Sequence, residues 1–124
     1  MASLFAAGLL AAPLIGTGTA SAAPPETDLV LAVYDEDSGV ESTRLTCDPA
    51  AGNHSAAQAA CGEIEAADGD FTQLPGTEPQ LCTFDYRPVT VAAIGSWRGE
   101  PVQYVEEFAN RCVMEQETGT VFAF

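Results

Sequence analysis

Nucleophilic catalysis needs a hydroxyl or thiol beside a base that can take its proton. The chain has one histidine, His54, and its neighbour is Ser55. Nothing around that pair resembles a nucleophile elbow, and Ser55 is better used to cap a helix. Carboxylate chemistry has more raw material, because 18 acids are present. None of them sits in a recognisable motif, so a solvated surface accounts for them first. In "DEDSGVE", Asp35, Asp37 and Glu41 could hold calcium weakly. The glycine there is fifth in the run rather than sixth, and no twelve-residue loop follows. A turn rich in acids explains the stretch. These residues point away from an enzyme, and no cofactor is expected.

The segment "CTFDYRP", residues 82–88, poses a different question. An aromatic follows the cysteine by two residues, and then come an acid, a second aromatic, a base and a proline. Such a stretch is either a cross-linked turn or a peptide held out for another protein to read. If it is extended, Phe84 and Tyr86 point one way while Asp85 and Arg87 point the other. Burial of Phe84 is the plain alternative, since most phenylalanines are buried. The flanking charges and the Pro/Gly-rich approach "GDFTQLPGTEPQL" argue against burial.

The rest of the chain must position that segment. "LFAAGLLAAPLIGTG" is apolar and uncharged, and Ala20-Ser21-Ala22 after it fits an A-x-A cleavage site. Residues 1–22 therefore read as a signal peptide cleaved near Ala22/Ala23, although no Lys or Arg precedes Arg44. A membrane anchor fits less well, because Pro13, Gly16 and Gly18 interrupt a run already short for a span. Residues 23–124 are enough for one domain with a modest core. Four cysteines in a secreted chain of this size imply two disulfides rather than a metal site. They allow three pairings, of which Cys47–Cys61 with Cys82–Cys112 is the sequential one. The net charge is −14, with four arginines and no lysine. That repels phosphate backbones and anionic lipid, so neither nucleic acid nor a membrane surface is an expected partner.

"LVLAVYD" (29–35) reads as a strand, "DEDSG" as a turn, and "VESTRLTCD" as a second strand with Thr43 and Leu45 on one face and Ser42 and Arg44 on the other. "SAAQAACGEIEAA" is a helix, with Ser55 and Gln58 as a capping box and Gly69 as its stop. Cys61 and Ile64 share its inner face, and Glu63 and Glu65 are expected in water. Residues 69–81 are expected to be an irregular loop. "VTVAAIGSWRGEPVQYVEEF" reads as a hairpin, and the chain is expected to finish with a turn at Gly119 and a short apolar strand. The class is α+β, an antiparallel sheet with one main helix.

With these residues in view, the mature chain resembles the Streptomyces subtilisin inhibitor family of secreted bacterial proteinase inhibitors. "CDPAAGNH" followed by "AACGEI" resembles its signature around the first disulfide, and "CTFDYRPVTV" its reactive-site segment. "GSWRGEPVQYVEEFANRC" resembles its last hairpin and "TGTVFAF" its C-terminus. The resemblance implies about five antiparallel strands covered by one main and one short helix, with disulfides Cys47–Cys61 and Cys82–Cys112. It also implies a homodimer, a subtilisin-like serine proteinase as partner, and a reactive bond between Phe84 and Asp85. Leu81, Cys82, Thr83, Tyr86, Arg87 and Pro88 would then form the rest of the proteinase-contacting loop. Phe84 suits the large apolar pocket of subtilisin-like and chymotrypsin-like enzymes, and not trypsin, whose pocket carries an acid. Leu81 could fill a second apolar pocket, and Pro88 restricts the loop's exit.

The chain departs from the family at several positions. Ser55 stands where proline is usual, and Gly62 and Ile64 replace a small or acidic residue and a leucine. Thr83 stands where proline is common, and Arg87 where an acid is common. Asp85 matters most. An acid beside the scissile bond is partly desolvated in the enzyme, which is unfavourable unless it is paired. Arg87 is the expected pairing partner, and Asp85 is expected to narrow the set of enzymes inhibited. A secreted binding or structural domain of the same fold, without inhibitory activity, is the alternative reading.

Overall fold

The computed structural model describes residues 26–124, together with residues 8, 11–14 and 16. Most of the signal-peptide expectation for residues 1–22, its cleavage site included, falls outside the described residues. The elements follow as β1 (Thr27–Asp35), β2 (Gly39–Cys47), β3 (Ala51–Gly52), α1 (Ala57–Ala66), a 3-10 turn (Phe71–Gln73), β4 (Val89–Trp97), β5 (Glu100–Phe108) and α2 (Arg111–Thr118).

Alternation along the strands decides which face of the sheet is buried. In β1, Leu29, Leu31 and Val33 are buried while Val30 and Tyr34 are exposed. In β4, Val89, Val91 and Ala93 repeat that pattern. The five strands run β3-β2-β1-β4-β5, each antiparallel to its neighbours. The inner face packs against Ile64 of α1, Met114 of α2, and Phe71, Val121 and Phe122. Two disulfides, Cys47–Cys61 and Cys82–Cys112, fasten the two helices to β2 and to the segment before β4. For a domain with a core this small, each closure contributes roughly 3–4 kcal/mol on the loop-entropy account.

Several expectations need correction. The Ser55–Gln58 capping box does not form: α1 has Ala56 at its N-cap with no side-chain bond to it. The side chain that reaches this end is His54, one position before Ser55, and it bonds the N–H of Ala56 itself. Its buried imidazole accepts the Ala56 N–H at Nδ1 and lies 2.9 Å through Nε2 from the Val121 carbonyl. With Nδ1 accepting, Nε2 is the nitrogen left to donate, so the one histidine of the chain is a satisfied core group.

Glu63 does not face water either. Its carboxylate accepts from both the backbone N–H and the hydroxyl of Thr120. The loop expected over residues 69–81 contains the 3-10 turn, capped by Asp70, which accepts from the Thr72 N–H at 2.9 Å.

The final apolar strand is absent. "NRCVMEQET" is α2, and after Gly119 at φ +62 the chain turns back and buries Val121 and Phe122 without pairing them to the sheet. A short apolar run signals burial, and its period cannot tell a strand from a core plug. The fifth strand is instead β3, two residues that pair with Leu45 and Thr46.

Candidate functional site

Residues 82–88 belong to no helix or strand. Their shape comes from what they are tied to, and every tie leads to the corner between β5 and α2. Cys82 is bonded to Cys112. The Arg87 N–H donates to the Ala109 carbonyl at 2.9 Å. Between them, Asn110 donates from Nδ2 to two carbonyls of the segment, Thr83 O at 3.1 Å and Asp85 O at 3.0 Å.

Asn110 is 8% exposed. Its Oδ1 accepts the Val113 N–H at 2.9 Å and so caps α2. One buried amide therefore closes a helix end and holds the backbone on both sides of Phe84. Both Nδ2 protons and the carbonyl are used, which fixes the amide's orientation.

The approach to the segment is supported in the same way. Gly76 has φ +66, and a Cβ there would collide with the Gln116 carbonyl oxygen. That close passage lets the Thr77 N–H donate to the same oxygen at 2.9 Å. The chain thus lies along the C-terminal end of α2 before it rises to Leu81. Pro88 then delivers it into β4.

What the anchors present is apolar and free. Phe84 is 105% exposed, Leu81 103% and Tyr86 74%. The burial alternative for Phe84 is excluded by its position. Asp85 and Arg87 are also exposed, but they form no ion pair with each other among the described residues. Asp85 instead accepts from the Thr83 hydroxyl at 3.3 Å.

Beside the segment lies a groove of about 730 Å3, bounded on its far side by the β1–β2 turn from Asp35 to Ser38 and floored by Asn110, Arg111 and Cys112. Arg111 Nη2 reaches Asp35 Oδ2 at 2.8 Å and ties the anchoring corner to the end of β1. The acidic stretch thus serves as a turn with a cation in it; no cluster of possible metal ligands forms among the described residues.

The Ser38 N–H, first, and then the Arg111 guanidinium hold the Asp35 carboxyl below its ordinary value. A carboxyl lowered by folding contributes stability above its unfolded value, near pH 4, and that contribution is lost as pH falls through the folded value. Asp35→Asn should therefore flatten the acid limb of a Tm-against-pH curve below about pH 4. Parallel limbs for the two chains would show that the contact adds nothing.

Sequence reasoning named the exposed residues but missed Asn110, Ala109 and Arg111, which hold them. The signal was present in Asn110, a preferred N-cap residue ahead of the helix formers Met114, Glu115 and Gln116.

The family profile described as "Subtilisin inhibitor-like" matches residues 25–110. A protease inhibitor of Streptomyces netropsis is 46% identical over 91 residues, covering 71% of this chain and 83% of its own. A subtilase-type protease inhibitor of Streptomyces fradiae is 41% identical over 131 aligned positions, covering 98% and 92%. Among solved structures, Streptomyces caespitosus sermetstatin in complex with Bacillus licheniformis subtilisin superimposes with a TM-score of 0.65 at 33% identity, over 78% of this chain and 97% of that one. The chain belongs to the subtilisin inhibitor-like family.

Proposed function

We propose that the chain is a secreted inhibitor of subtilisin-like, and also chymotrypsin-like, serine proteinases, acting through a substrate-like loop with its reactive bond between Phe84 and Asp85. One observation carries this reading. Phe84 is fully exposed, while the carbonyls of the residues on either side of it are both held by Asn110.

A serine proteinase binds an extended peptide and presents one bond to its nucleophile and oxyanion hole. A flexible substrate loses conformational freedom on binding, and its fragments then leave. Here the ordering has been done by folding, so most of that cost is absent from binding. Phe84 enters the primary pocket, and Leu81, three residues earlier, enters a second apolar one. If the enzyme cuts, Cys82–Cys112 holds the acyl side and the Arg87–Ala109 bond holds the leaving side. The new amine remains beside the acyl group at high effective concentration, and the bond re-forms.

Residues 1–22 are proposed as the signal peptide that exports the chain; no described helix is long and apolar enough to cross a membrane. The open face of the sheet supports a homodimer. Val30, Tyr34, Val40, Ile94 and Val105 lie on that face and are exposed there. A solvated sheet face is normally polar, and this one joins a second copy through its apolar centre.

The test is a titration of the protein recovered from culture medium against subtilisin and chymotrypsin, with residual activity read on a small chromogenic substrate. The chain should begin at Ala23, sediment at twice its own mass, and silence about one equivalent of active sites per chain. Full enzyme activity at large excess of folded, disulfide-bonded protein would leave the fold without the function.

A further inference from the structure

Thr83 and Asp85 stand on opposite sides of the reactive bond, Thr83 on the acyl side and Asp85 on the leaving side. Their side chains are joined by the hydrogen bond from the Thr83 hydroxyl to Asp85 Oδ2 at 3.3 Å. Their carbonyls are joined through Asn110. Phe84, between them, is exposed over its whole side chain. The bond across the top of the loop and the amide beneath it therefore close a ring around the one residue that must stay in place.

We propose that the Thr83–Asp85 bond is a bridge that persists when the reactive bond is cut, and that Asp85 is a positioning residue whose carboxylate holds the leaving side in register for reclosure. This rests on the inhibitor reading and assigns a role within that same site. Hydrolysis adds one water across the Phe84–Asp85 peptide. Phe84 gains a carboxylate and Asp85 an α-ammonium group, and reclosure expels that water. Neither change touches the Thr83 hydroxyl or the Asp85 side chain. In the cut chain the bond from Thr83 to Asp85 still links the two new ends, so they gain less conformational freedom than unlinked ends would, and the joined form is favoured.

The two residues are also the two departures that flank Phe84. A proline at position 83 would stiffen the acyl side by fixing its own φ. A threonine cannot do that alone. With an acceptor at position 85 it restrains both sides at once, so the two residues act as a pair.

The decisive quantity is the ratio of cut to intact chain at equilibrium under a catalytic amount of subtilisin. An enzyme cannot shift that equilibrium, so the ratio reads the inhibitor and is blind to any contact the variants lose with the proteinase. Thr83→Val should raise the ratio about three- to tenfold, because the cut ends gain backbone freedom once nothing links their side chains. Thr83→Ser, which keeps the hydroxyl, should restore most of it. In an Asp85→Ala background, Thr83→Val should change the ratio less than about twofold, because its partner is already gone. Equal effects of Thr83→Val in the two backgrounds would overturn the bridge.

A second measurement needs no proteinase. In the free protein, the 15N relaxation order parameter of Phe84 should fall in Thr83→Val and recover in Thr83→Ser. No change there would also overturn the bridge. A parent chain that neither inhibits nor is cut would sink the inhibitor reading instead, and the relaxation experiment would still decide whether the bridge stiffens the loop.

Discussion

A Phe84→Gly chain should melt only a few degrees below the parent, from the added freedom of the unfolded chain, and bind subtilisin about 30- to 1000-fold more weakly. The range follows from what the side chain does in each state. In the free protein it is 105% exposed, so removing it leaves no cavity and breaks no packing. In the complex it would be buried in the enzyme's primary pocket, and hot-spot aromatics contribute about 2–4 kcal/mol to such interfaces. Each 1.4 kcal/mol, roughly, is a factor of ten in the inhibition constant. Glycine also restores backbone freedom at the point where order matters most, which pushes the loss toward the upper end. The readouts are the inhibition constant and the melting temperature, taken on the same preparation. An unchanged inhibition constant would place the contact with the enzyme elsewhere on the molecule.

Replacing Cys82 and Cys112 together by alanine should give the opposite balance, with a stability loss and a change in the kind of interaction. The closed loop has a sequence separation of 30 residues, and opening it should cost about 3–4 kcal/mol on the chain-entropy account. The melting temperature would fall by more than 10 °C at about 4–8 °C per kcal/mol for a domain of this size. Function should change more sharply than stability. The acyl side of Phe84 would lose its covalent tie, so a cut loop would open and the enzyme would be released with time. Residual activity should first fall and then return as the chain is cleaved after Phe84, which mass spectrometry of the fragments would show. Lasting inhibition by a double-alanine chain that remains folded would mean that Asn110 and the Arg87–Ala109 bond suffice without the disulfide.

The parts of this protein that were legible in its sequence are those that depend on local pattern. Period-two alternation placed β2, and apolar runs bounded by turn residues placed β1 and the β4–β5 hairpin. Thr43 and Leu45 fall inside and Ser42 and Arg44 outside, as their alternation requires. Alanine content and Gly69 placed α1. What failed were the places where two distant segments meet. Ser55 is a good N-cap by type, yet the N–H of Ala56 at the start of α1 goes to a histidine that is also 2.9 Å from Val121, 67 residues away. Glu63 looked solvated because its partner, Thr120, follows a turn that local pattern does not orient.

The site divided along the same line. Residues 82–88 alone left burial of Phe84 open, and the family resemblance carried the reading of Phe84 as exposed. Asn110 could not be read from them, because its side chain matters through contacts with carbonyls 25 and 27 residues earlier. The Asp85–Arg87 pairing was a local guess that geometry replaced with another local partner, Thr83.

The two flanks of Phe84 lead to one corner, and from that comes a division of labour within the chain. Leu81, Phe84 and Tyr86 face outward from the fold, whereas residues 109–112 hold the loop's backbone and begin α2. These outward-facing residues can therefore be exchanged with little effect on folding, and the supporting corner cannot. In engineering terms the molecule is a chuck with a replaceable bit. A library randomised at positions 81, 84 and 86 should remain folded nearly throughout while its members sort among proteinases with different pockets.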